Sequence, residues 1–285
     1  MLSVRSLIRQ PTSPAPAVPS SPTIQVKPVA LFVATRWELA ALRRAFPGGR
    51  REDIQGVCCQ VSQRDGRQYW LIRTGVGPEA MRATAASVLS RQPMALVVSS
   101  GFAGALMPAE IGDLFIGTSV SAGVYDRNWK QGTDSFSCDA AIVKRIQSVA
   151  KELNVCTRIG PVVSVSAVVC RAEDKRALGL VSGAAALDME SAALALVARE
   201  KAVPFVVLRT ISDLAGEDLP LDFNLFLRPT GWMRGMKELI AHPKSLVGLN
   251  RLRLQSRLAA TRLTTVCQAL AERGFGLLQS SDLVC

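Results

Sequence analysis

The stretch from Ala186 to Asp218, ALDMESAALALVAREKAVPFVVLRTISDLAGED, restricts the fold more than any other part of the chain. Ala184–Leu187 is small and apolar. From Glu190 to Ala202 the residues Ala192, Leu194, Ala195, Leu196 and Ala198 are good helix formers. Pro204 ends that helix, and Phe205–Ile211 is a continuous apolar, β-branched run. Such a run, without alternation, predicts a strand covered on both faces, as in a parallel α/β sheet. Asp188 and Glu190 follow the first strand, and Ser212-Asp213 closes the second. In open α/β sheets ligands bind outside the carboxyl ends of the strands, so these carboxylates stand where such a fold puts chemistry.

Other segments repeat the pattern. Val29–Ala34 predicts a first buried strand, and Thr35 can cap a helix starting near Arg36 with Glu38 in its first turn. Position alone admits two roles for Glu38: a carboxylate favouring the helix dipole, or a catalytic group. Val57–Ser62 and Gln68–Arg73 predict a hairpin about Asp65-Gly66. Thr74-Gly75-Val76-Gly77-Pro78 is a glycine turn into a helix over Glu79–Ser90. It suits a tight strand-to-helix turn or phosphate equally. Ala95–Ser100 predicts a strand running into Gly101-Phe102-Ala103-Gly104-Ala105, whose small residues let the backbone approach a ligand closely. Gly112–Ser121 and Gly160–Val169 predict strands, Ala140–Leu153 a helix, and residues 122–138 a polar, irregular segment. The fold class is α/β throughout.

Composition excludes several chemistries. His242 is the only histidine, which argues against Ser-His-Asp, Cys-His and His-rich metal mechanisms. The seven cysteines are an odd number without CxxC spacing, so disulfides and a zinc site are poor readings and a reducing cytoplasm is the expected location. No run of about 18 apolar residues free of charge predicts a membrane span, and Arg5 and Arg9 precede no apolar signal segment.

Charge divides the chain in three. Residues 1–27 carry +3, residues 28–227 carry +2 and residues 228–285 carry +6. Nucleic acid is not an expected partner, because the central segment is close to neutral. Residues 1–27, with five prolines and five serines, predict a disordered arm. In residues 228–285, Arg228, Arg234, Lys237, Lys244, Arg251, Arg253, Arg257 and Arg262 alternate with leucines. This predicts basic amphipathic helices, packed on the domain or a second subunit, or attached at the periphery of an anionic membrane.

Without histidine, the available acids and bases are carboxylates. Two well-placed carboxylates suit glycosidic cleavage, one protonating the leaving group and one activating water. A third can accept sugar hydroxyls and favour a cationic transition state. Glu38, Glu190 and Asp213 follow three separate strands and can converge at one sheet edge. Capping is the alternative for each of Asp188, Glu190 and Asp213.

Together the pieces ATRWE, TGVGPEAM, SSGFAGAL with GDL, and LDMESAA followed by PFVVLRTISD resemble the nucleoside phosphorylase/nucleosidase superfamily. Its methylthioadenosine/S-adenosylhomocysteine nucleosidase branch is the nearest in pattern. They occur in the family's order over residues 28–227. The resemblance implies a three-layer α/β/α fold around a mixed, partly barrel-like sheet, no cofactor, no metal and a homodimer. It implies that Asp213 protonates purine N7 with support from Ser212. Glu190 binds the ribose hydroxyls beside Met189, and Glu38 activates the attacking water. Val169 meets the base through its main chain, Arg209 lies near the ribose, and Gly101, Phe102 and Ala103 border the substrate. The chain departs from the pattern at Val168, in Ser166-Ala167-Val168, where the nucleosidases place an aromatic residue against the purine. No basic residue accompanies Ser99 and Phe102 to clamp phosphate, which favours hydrolysis, while Arg36 and Arg73 keep phosphorolysis open. The Arg/Leu-rich extension resembles that of the hopanoid-associated phosphorylases, which implies a lipid-linked adenosine, adenosylhopane, as substrate at the membrane surface.

Overall fold

In the computed structural model, strands alternate with helices as the apolar runs predict. The structure describes residues 26–126, 128–221, 223–224 and 244–277. The expected N-terminal arm up to residue 25 lies outside them, as do Arg228, Arg234, Lys237 and His242. The strands are β1 (Val29–Val33), β2 (Arg50–Ile54), β3 (Val57–Arg64), β4 (Arg67–Arg73), β5 (Leu96–Ala105), β6 (Leu114–Asp126), β7 (Asn128–Ser137), β8 (Thr157–Val165), β9 (Ala186–Asp188) and β10 (Phe205–Asp213). The helices are α1 (Arg36–Ala45), α2 (Pro78–Arg91), α3 (Ala140–Glu152), α4 (Ala172–Ser182), α5 (Ser191–Glu200) and α6 (Lys244–Arg273).

One mixed sheet holds the strands in the order β10-β6-β8-β9-β5-β1-β4-β3-β2, with β7 on β6. β10 also pairs with β5 in parallel, which closes β5, β10, β6, β8 and β9 into a ring. β5 is therefore the hub. Its first half lies between β1 and β10, and its end, Gly104-Ala105, pairs with β9. Val29, Leu31, Phe32 and Val33 of β1 are fully buried, as are Val206, Val207 and Leu208 of β10. Burying each such side chain contributes about 1.5–3 kcal/mol.

Two segments differ in kind from the sequence reading, and a third meets one of the alternatives it left open. Residues 122–138 are a strand ladder, not irregular: β6 runs to Asp126 and β7 pairs antiparallel with it across a bulge between Ser121 and Gly123. Phe136 points inward while Ser135 and Ser137 are exposed, so the polar composition belongs to the solvent face of an edge strand. The strand expected to reach Val169 ends at Val165, and α4 follows, closed by Gly183 in the left-handed conformation at φ 62°.

The third is the basic C-terminal segment. Ala259, Leu263, Val266, Cys267, Leu270 and Ala271 of α6 are buried, and the helix packs on α1, β5 and β10. Thr264 Oγ1 donates to Ala41 O at 3.1 Å, and Arg145 Nη2 to Arg273 O at 2.5 Å. Leu263 and Leu270, in the second half of this helix, are therefore core. Its first half leaves Val247, Leu254 and Leu258 exposed. Among the described residues no helix is long and apolar enough to cross a membrane.

Candidate active site

Glu38 is held by the turn between β1 and α1. Thr35 sits in the extended region as N-cap and accepts from Glu38 N, while Glu38 reaches back to Thr35 N at 2.7 Å, completing a capping box. The same Oε2 accepts from Ala34 N at 3.1 Å and Thr35 Oγ1 at 2.8 Å. Oε1 leaves the helix altogether and accepts from Phe102 N on β5 at 2.8 Å. The side chain is 3% exposed. The capping reading therefore holds for one oxygen of Glu38, while the other leaves the helix and is pinned at the hub strand. Gly101, at φ +138°, makes this possible, since a Cβ there would overlap the Glu38 carboxylate and lie 2.8 Å from Arg209 Nη1.

Glu190 begins α5 but makes no capping bond. Its Oε1 accepts from Gly77 N at 2.8 Å, so the glycine turn TGVGP presents an amide to a carboxylate. Asp188 does the capping, its Oδ1 accepting from Glu190 N and Ser191 N. Asp188 also accepts from Ser164 Oγ at 2.5 Å and from Ser191 Oγ, and pairs with Arg209 Nη2 at 2.8 Å. Arg209 further donates to Ser99 Oγ, Ser191 Oγ, Ser100 O and Phe102 O. Glu190 Oε2 stands 3.9 Å from Arg209. Burial pushes the Glu190 carboxyl up to about 7; Arg209 opposes the shift and Asp188 adds to it. For Arg209, burial works against the charge, and Asp188, Glu190 and Glu38 together outweigh it, so the guanidinium is pushed further up.

Asp213 ends β10 opposite Gly104 of β5. A Cβ at Gly104 would lie 2.9 Å from Asp213 Oδ1, so the absence of a side chain there admits the carboxylate. Ser212 Oγ reaches Asp213 Oδ2 at 3.2 Å and Ala103 O at 3.4 Å. Asp213 does not cap a helix, which disposes of its alternative role. Oδ1 pairs with Lys175 Nζ of α4 at 2.5 Å. Asp213 borders a cavity of about 360 Å³ lined also by Glu217, Leu219, Pro220, Arg251 and Leu252, so α6 forms one of its walls. Arg251 and Gln255 of α6 hold the Glu217 carboxylate.

Val169 is buried with Val163, Val165, Leu178 and Leu187, and Met189 packs on this group. Val168 exchanges both main-chain hydrogen bonds with the Asn224 amide, at 2.7 and 2.9 Å. Arg36 and Arg73 are exposed. One strand links the carboxylates: Gly101 and Phe102 meet Glu38, Ala103 and Gly104 meet Ser212 and Asp213, and Ser99, Ser100 and Phe102 meet Arg209, the neighbour of Glu190. Sequence reading passes over Lys175 and the anchoring role of Asp188. The run RAEDKRALG carries a helical period, but nothing in it marks one lysine as buried.

The model of the Phosphorylase superfamily matches residues 28–228. A 5'-methylthioadenosine/S-adenosylhomocysteine nucleosidase of Shewanella loihica is 26% identical over 214 residues, covering 71% of this chain and 93% of the relative. Among solved structures, a putative nucleosidase of the same name from Francisella philomiragia superposes with a TM-score of 0.67 at 19% identity, over 85% of this chain and 96% of that one. The Neisseria meningitidis nucleosidase in complex with methylthio-immucillin-A superposes with a TM-score of 0.64 at 19% identity, over 86% and 100%. With a three-layer α/β fold, a mixed sheet closed through β5 and a family model matched from the first strand to beyond the last, this chain belongs to the phosphorylase superfamily of nucleoside phosphorylases and nucleosidases.

Proposed function

We propose that the chain hydrolyses the N-glycosidic bond of a 5′-substituted adenosine. The observation that carries this reading is the attachment of Glu38, Asp213 and the Arg209–Glu190 neighbourhood to the carboxyl half of a single strand, β5. Glu190 accepts ribose hydroxyls. Asp213, backed by Ser212, donates a proton to purine N7 as the C1′–N9 bond opens toward an oxocarbenium ion. Glu38 takes the proton of the water that attacks C1′. Its free lone pairs lie on Oε1, since Oε2 is occupied by three donors of the α1 cap.

Hydrolysis is favoured over phosphorolysis because Arg209, the buried cation beside Glu190 and Glu38, is already neutralised by Asp188. A phosphate there would face Glu38 and Glu190 as well. The 5′ substituent extends toward α6 in this reading, and a lipid-linked nucleoside fits an exposed stripe of Val247, Leu254 and Leu258 flanked by Arg251 and Arg257. The test is adenine release by purified protein from methylthioadenosine and from a lipid-tailed adenosine, each with and without phosphate. Phosphate-independent release from either, lost in Asp213→Asn, is expected. Release that requires phosphate, or that survives in Asp213→Asn, overturns the mechanism.

A further inference from the structure

Lys175 is a fully buried charge that this chemistry leaves unused. It lies on α4, is 0% exposed, and its ammonium reaches the end of β10. Its three N–H donors have three acceptors: Asp213 Oδ1 at 2.5 Å, Leu214 O at 3.1 Å and Glu217 O at 3.2 Å. Two of these are carbonyls of the turn that follows the acid and lines the cavity beside it. Asp213 itself is 17% exposed, with Oδ2 left to Ser212 and the cavity.

We infer that Lys175 is a positioning residue for Asp213, an inference that rests on Asp213 being the acid. In the step, the Asp213 O–H bond breaks and a purine N7–H bond forms. The electron pair of C1′–N9 passes into the purine, and a carboxylate remains. Lys175, itself fully buried, stabilises the negative charge that develops on that carboxylate. It also fixes which oxygen faces the base, by occupying Oδ1. The proton is loaded from solvent through the cavity once substrate is bound, because an N7 lone pair facing a carboxylate repels it unless a proton lies between them. A purely structural lysine would hold the 214–217 turn and affect binding and catalysis alike. A positioning lysine acts on the transition state.

The experiment compares parent, Lys175→Gln, Lys175→Met and Asp213→Asn for kcat and KM of adenine release from methylthioadenosine, with folding followed by circular dichroism. Glutamine keeps donors for the two carbonyls and removes the charge. The expected result is a kcat lowered by about 30-fold or more in both lysine variants, with KM within about threefold of parent. A kcat loss below about tenfold in either variant overturns the inference, as does a KM that rises in step with the loss. Failure of both variants to fold overturns it too, by making Lys175 a stability residue. Asp213→Asn separates the two levels: if it is inactive while the lysine variants are active, only this inference fails, and if it is active the reading of the acid fails.

Discussion

Glu38 Oε1 accepts a hydrogen bond from Phe102 N at 2.8 Å, across 64 residues of chain. This single contact ties the first helix turn of the domain to the strand around which the sheet closes. It gives one carboxylate a local duty at the α1 cap and a distant one at the hub strand. The arrangement depends on Gly101, the residue just before that amide, having no side chain.

Gly101→Ala tests that dependence. An alanine there must adopt φ +138° and overlap the Glu38 carboxylate. Expected are a destabilisation of about 2–3 kcal/mol from overpacking and a loss of about 100-fold in turnover from the displaced carboxylate. Urea unfolding and adenine release check the two parts separately, and unchanged turnover would remove Glu38 from the site.

Glu190 makes the protein's stability depend on pH. Its carboxyl is pushed up to about 7 by burial, from an ordinary value of 4.5. The folded state therefore binds this proton more tightly than the unfolded chain. The sign follows: stability from this group is fully present below about pH 4.5 and is lost as pH rises through about 7. The span amounts to about 3 kcal/mol at 1.36 kcal/mol per pH unit. Glu190→Gln should flatten this slope between pH 5 and 8 in denaturant titrations, and should weaken nucleoside binding. A slope that persists in the variant would place the titration elsewhere.

Asp188→Asn removes the charge paired with Arg209 at 2.8 Å while keeping the shape. Removing one partner of a buried ion pair costs about 3–5 kcal/mol. Because Asp188 also raises the Glu190 carboxyl, the variant should move the pH midpoint of Glu190-dependent behaviour downward. A thermal scan and a pH series of binding measure both effects.

Two leucines of α6 separate a core helix from an appended one. Leu270 is 0% exposed and Leu254 is 55% exposed. Leu270→Ala should cost about 2–5 kcal/mol, while Leu254→Ala should stay within about 0.5 kcal/mol. If Leu254→Ala instead abolishes association with anionic vesicles at unchanged stability, the exposed stripe is the membrane-facing side.

Much of the frame was legible because it rests on short-range rules. The Thr35 cap, the Asp65-Gly66 hairpin between β3 and β4, and the strand–helix–strand unit around Glu190 all follow from propensity, capping and unbroken apolar runs. The edge strand β7 was not legible, because Asp134, Ser135 and Ser137, which face solvent, are polar. Nor was α6, because a leucine stripe beside an arginine stripe describes a helix against a membrane as well as one against a core.

The sequence by itself determined most of the strands and helices, that with a single histidine the acids and bases on offer are carboxylates, and the order of the family's motifs. Only the tertiary structure decided what each charge faces. Gly77 meets Glu190 across 113 residues, Lys175 meets Asp213 across 38, and Arg209 turns inward to Asp188. The physical reason is desolvation. A charge removed from water must find a partner or lose its proton, and that partner is set by strand pairing and helix packing, which bring together residues that no spacing in the chain relates.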